Sequence, residues 1–137
     1  MNRPNFQIER FDTVIAAKLN GQWNSAIDLK YLSELGAAMQ RMRQNTWVII
    51  VDLRDWYVED TERTKNTNYS LHLDRRNQIG ECWIVREQSQ AKHLDPFFET
   101  LEFKPKRVIS SQDMQLWAEK MSVQIPESVL EWFDKEH

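Results

Sequence analysis

Glycine, cysteine and long apolar runs are all scarce in this 137-residue chain, and each scarcity removes a class of function. The glycines, Gly21, Gly36 and Gly80, stand too far apart to build the phosphate-cradling loop of P-loop or dinucleotide-binding proteins. The single cysteine, Cys82, rules out an intrachain disulfide, and at the head of an apolar segment it reads as a small buried hydrophobe rather than a nucleophile. The histidines His72, His93 and His137 form no CxxC, HxxxH or HExxH spacing, so no metal site is expected. There is no Gly-x-Ser-x-Gly elbow either, and with neither a catalytic residue nor a cofactor to assign, the chain is expected not to be an enzyme. The longest apolar run, Trp47 to Val51, has five residues, against the roughly 20 of a membrane helix. Met1 to Phe6 carry neither the basic segment nor the apolar stretch of a signal peptide, which sets the expectation of a cytoplasmic protein. Basic charge is not in excess: 18 Lys+Arg against 21 Asp+Glu leave a net charge of −3, the opposite of a nucleic-acid footprint.

What is present is an ordinary globular composition, 41% hydrophobic and 28% charged, sized for one domain able to bury a core without staples. Phe6 to Arg10 and Thr13 to Leu19 read as two adjacent strands, broken by Asn20-Gly21. Asn24 or Ser25 caps a helix whose apolar stripe is Tyr31, Leu32, Leu35, Ala38, Met39 and Met42, with Asp28 placed for a capping box and Arg41 and Arg43 in its last turn. Trp47 to Val51 is a continuous β-branched run ending at Asp52, as a central parallel strand does. Asp55 to Asn77 is polar and weakly marked as a helix. Cys82 to Val85 is the next strand, and Leu94, Phe97, Phe98 and Leu101 give a short helical stripe near Asp95-Pro96. Lys106 to Ile109 is a further strand. A helix from Ser110 or Ser111 carries Met114, Trp117, Ala118 and Met121, and Pro126 opens a last helix with Val129, Leu130 and Phe133. Strands alternating with helices predict an α/β fold, and two initial strands without a helix between them require a mixed sheet.

The acidic group Asp52, Asp55, Glu59, Asp60 and Glu62 follows the central strand, where open α/β sheets bind ligands, yet it reads more simply as a solvated acidic loop than as a metal site. Val51-Asp-Leu-Arg54 resembles the phosphoacceptor strand of receiver domains, but the acidic pair and the lysine of that family have no counterpart here. Six tryptophans, Trp23, Trp47, Trp56, Trp83, Trp117 and Trp132, are mostly core. Because both faces of Trp47 to Val51 are apolar, a one-sided winding leaves a face to be covered by the last helix, by a second copy or by an apolar ligand.

Val14-Ile-Ala-Ala-Lys-Leu-Asn-Gly21 before a capped helix and Trp47-Val-Ile-Ile-Val-Asp-Leu-Arg-Asp55 after it resemble STAS domains of the SpoIIAA-like type, over residues 5 to about 121, with 122–137 as a helical extension. The family includes anti-sigma-factor antagonists, cytoplasmic parts of sulphate transporters and stand-alone bacterial proteins. The resemblance implies a right-handed β-α superhelix with a mixed five-stranded sheet, helices mainly on one face and an extra C-terminal helix. It also implies a non-enzymatic regulatory or protein-interaction module that associates with a protein partner or with itself. Regulatory members carry Asp-Ser-Ser-Gly with a phosphorylated serine. Asp60-Thr61-Glu62-Arg63 stands there in this chain, so Thr61 is the implied phosphoacceptor, while Glu62 replaces a serine and the glycine is missing. The resulting interaction or switch set is Asp55, Tyr57, Glu59, Asp60, Thr61 and Glu62. Against it stands a small apolar or anionic ligand held by Trp23, Tyr57 and the sheet face, and, third, an unrecognised enzyme using the acidic loop.

Overall fold

The computed structural model describes residues 4–42, 44–58 and 73–134. Strand β1 (Asn5–Phe11) turns at Asp12 and Thr13 into β2 (Val14–Trp23), and Asp12 takes the left-handed φ of 55° that a tight hairpin turn requires. Then come helix α1 (Ser25–Gln40), strands β3 (Trp47–Val58) and β4 (Gln78–Ile84), a 3-10 helix (Lys92–Phe98), strand β5 (Lys106–Val108), and helices α2 (Ser111–Lys120) and α3 (Glu127–Asp134). The strands form one sheet in the order β1-β2-β3-β4-β5, with β1 antiparallel to β2 and every other pairing parallel. The mixed five-stranded α/β sheet is therefore as expected.

Alternation of side chains splits the core into two layers. Ile15, Ala17 and Leu19 of β2, Ile49, Val51 and Leu53 of β3, and Trp83 face α1 and the 3-10 helix. Val14, Ala16, Val48, Ile50, Cys82 and Ile84 face Met114 of α2 and Val129 and Phe133 of α3. The two described crossover elements, α1 between β2 and β3 and the 3-10 helix between β4 and β5, thus lie on one face, which is what a constant crossover hand produces. The second face is covered by the last helix, the first of the occupants expected for it, together with α2.

Several boundaries move. Asn20-Gly21 does not end β2, because the pairing with β3 shifts between Lys18 and Asn20 and the strand continues to Trp23, with Gly21 at φ 84°. Across this bulge Leu19 stands opposite both Leu53 and Arg54, so β3 regains its alternation and runs on through Trp56 to Val58. Asp55 to Val58 are consequently strand residues rather than part of a loop or helix, 59–72 of the expected helical segment lie outside the described residues, and Leu73 to Asn77 are irregular chain and turn instead of helix. At α1 the cap is Asn24, whose side chain accepts from the Ile27 N–H at 3.1 Å. Ser25 is therefore the first helical residue and not the cap, and Asp28 sits on the buried stripe. The stripe near Pro96 is a 3-10 helix that begins earlier, at Lys92, after Ala91 in left-handed geometry.

Candidate ligand-binding site

Four elements leave a gap between them. The inner stripe of α1 presents Asp28, Tyr31 and Leu35, β3 offers Val51, Leu53 and Trp56, β4 offers Glu81 and Trp83, and the 3-10 helix closes the side with Leu94, Phe97 and Phe98. They line an open-sided cavity of about 400 Å³, also reached by Leu19, Leu32, Leu73, Arg75 and Leu101. Most of its wall is leucine and aromatic, and its polar groups gather at one pole.

That pole is built on Glu81. Its Oε1 accepts from Arg75 Nη1 at 3.0 Å and from Gln78 Nε2 at 3.1 Å, and its Oε2 accepts from Trp83 Nε1 at 2.7 Å. Arg75 Nη1 also donates to Gln78 Oε1 at 2.8 Å, and the guanidinium lies 4.8 Å from the centre of the Phe98 ring. A carboxylate almost removed from water is thereby paired and hydrogen-bonded on both oxygens, the condition under which a buried charge is tolerated. Tyr31 stands beside this network. Burial first, then the negative charges of Glu81 and Asp28, push its hydroxyl far above its ordinary range, against a smaller opposing effect of Arg75, so the phenol remains protonated.

The residues singled out from sequence fall in different places. Trp23 is 2% exposed; its Nε1 donates to the Asn20 carbonyl at 2.8 Å, and its ring meets Tyr31 and Trp56 edge-on. It supports two cavity-lining rings from behind and does not line the cavity. Tyr57 points away from Trp56, is 46% exposed, and carries the Arg86 guanidinium 4.3 Å from its ring centre. It borders a recess of about 60 Å³ with Arg86, Gln90 and His93. Asp55 is exposed on β3, opposite Asn20. Glu59, Asp60, Thr61 and Glu62 lie outside the described residues. Asp52 is engaged by its own strand: Arg54 Nε and Nη2 donate to it at 3.0 and 2.8 Å, and that bond raises the Arg54 pKa. Among the described residues no three His, Cys, Asp or Glu side chains converge on a metal-holding point, and no helix is long and apolar enough to cross a membrane.

Asp28, Arg75 and Glu81 did not figure among the sequence candidates. A signal for two of them was there: Asp28 precedes Tyr31 and Leu35 by three and seven positions on the apolar face of a helix, and Glu81 stands two residues from Trp83, directly before the apolar run Cys82 to Val85 and on the same side of it. Arg75, in a polar segment, carried no such mark.

Two solved structures share this architecture. An uncharacterized protein from the DUF3478 family with a SpoIIAA-like fold, from Shewanella loihica PV-4, is 15% identical and superposes with a TM-score of 0.59 over 85% of this chain and 96% of its own. An anti-sigma factor antagonist from Mycobacterium paratuberculosis is 14% identical, with a TM-score of 0.50 over 85% of this chain and 93% of its own. No family model and no curated protein matches the sequence. With its strand order, its one antiparallel edge and these two likenesses, the chain has the SpoIIAA-like fold.

Proposed function

We propose that this chain is a non-enzymatic regulatory module of the STAS type, cytoplasmic, whose input is a small ligand with an apolar body held between α1, the 3-10 helix and the sheet. The observation that carries this reading is the cavity: about 400 Å³, walled by leucine and aromatic side chains with a few convergent polar groups, the make-up of small-molecule sites. Native mass spectrometry of the protein taken from its own cells tests it. A stoichiometric organic mass that vanishes on denaturation, and is absent from a Leu32→Trp variant that fills the cavity, is the expected result. A folded protein with no retained mass and no stabilisation by any apolar probe overturns it.

A protein-contact reading rests on another observation, the exposed Tyr57 ring with Arg86 stacked on it beside Asp55, at the end of β3. The contact set of this reading is Asp55 and Tyr57 with Glu59, Asp60, Thr61 and Glu62, Thr61 being the phosphoacceptor. A partner lost when Asp60 and Glu62 are changed to lysine, or phosphate mapped to Thr61, supports it, whereas retention of every partner by that variant removes it.

A further inference from the structure

The polar pole sets the chemistry of the occupant. We infer that the cavity takes an uncharged amphiphile of about 10–14 non-hydrogen atoms, with one oxygen head received at Arg75 and Tyr31 and its body among Leu19, Leu32, Leu35, Leu94, Phe97 and Leu101. This rests on the ligand-binding reading above and deepens it. Size follows from volume: at the roughly 30 Å³ that a water molecule occupies in the liquid, 400 Å³ accommodates about a dozen such atoms.

The head group follows from which donors are already used. An arginine has five N–H groups, and Arg75 commits Nη1 to Gln78 and Glu81, while its Nε and Nη2 meet no acceptor among the described residues. The Tyr31 hydroxyl likewise makes no hydrogen bond among them, and it is held protonated. The unused donors of Arg75 and Tyr31, and the buried Nε1 of the cavity-lining Trp56, which has no hydrogen-bond partner either, therefore await an oxygen. Charge selects among oxygens. Arg75 is already balanced by Glu81, whose two oxygens are both occupied. An anionic head would bring a second carboxylate to a guanidinium that already carries one, Arg75 being the one lining cation among the described residues. A cationic head would meet N–H donors and offer them nothing. An alcohol, ketone or amide oxygen accepts from Arg75 without adding charge.

The test uses the full chain and three probes with one body: 1-decanol, decanoate and decyltrimethylammonium, each below its micelle-forming concentration at neutral pH. Binding is read from the emission of Trp56 and Trp83, which line the cavity. Decanol is expected to bind about tenfold or more tighter than either ion. Tyr31→Phe, which removes only the hydroxyl, is expected to narrow that preference without loss of fold. Decanoate or decyltrimethylammonium binding as tightly as decanol, or a preference unchanged in Tyr31→Phe, overturns the head-group assignment but leaves a ligand-binding cavity standing. No binding by any probe overturns the ligand reading itself.

Discussion

Cys82 shows how far burial alone decides the chemistry of a residue. It is fully buried against α2, and removal from water pushes its thiol up to about 12, with Lys106 opposing and Glu81 adding slightly. The folded value lies above the ordinary 9.0, so the protonated thiol's contribution to stability is whole below about pH 9 and is lost as pH climbs from there towards 12. Two outcomes are expected: a disulfide reagent at mildly alkaline pH labels Cys82 only as fast as the protein opens, and stability measured by urea denaturation falls through that alkaline window. Fast labelling of the folded protein would place the thiol at the surface. This residue was legible in the sequence because its neighbours are apolar. Asp28 was not, because a helix start rich in polar residues offers a capping role as readily as a buried one, and only the position of Asn24 as the actual cap decides between them.

At the scale of elements, β4 and α2 meet so closely that Gly80 has no room for a side chain. A Cβ there would come within 2.8 Å of Met121 Cε and 2.9 Å of Trp117 Cζ2. The methionine end can swing away, but the indole ring is fixed in the helix-sheet interface. Gly80→Ala is therefore expected to cost about 1–3 kcal/mol, read as a lower urea midpoint with an unchanged slope. Helices α1, α2 and α3 were legible from their apolar spacing, their caps and Pro126. The far half of β3 was not. Arg54 and Asp55 put two polar residues in succession, which reads as the end of a strand, when in fact one extra residue bulges opposite Leu19 and Trp56 and Val58 return to the core face. That single irregularity puts Trp56 on the core face and Tyr57 on the outer one, so that Tyr57 ends away from the face where Trp23 is buried, and the ligand-contact pair read from sequence is split.

For the molecule as a whole, the sheet is stable only if both of its faces are covered. The second face depends on α3, where Val129 and Phe133 are almost wholly removed from water against Val14, Ala16, Val48 and Ile50. Each of these two side chains contributes about 1.5–3 kcal/mol by burial. A chain ended after Gln124 is expected to lose on the order of 10 °C in Tm and to bind an apolar dye that the intact protein ignores. An unchanged melting curve would show that α2 alone suffices. The cavity on the opposite face should remain, since none of its lining residues belongs to α2 or α3.

The strands lie in the sheet in the order in which they occur in the chain. A ribosome releasing this protein therefore extends the sheet one strand at a time, each new strand finding its neighbour already in place. The last helix reverses that economy. Trp132 packs edge-on against Phe11 of the first strand, 6.0 Å between ring centres, and under the Lys18 ammonium of the second. The β1-β2 hairpin is thus made well before the helix that covers it, and one surface of the growing sheet stays wet until α3 has emerged.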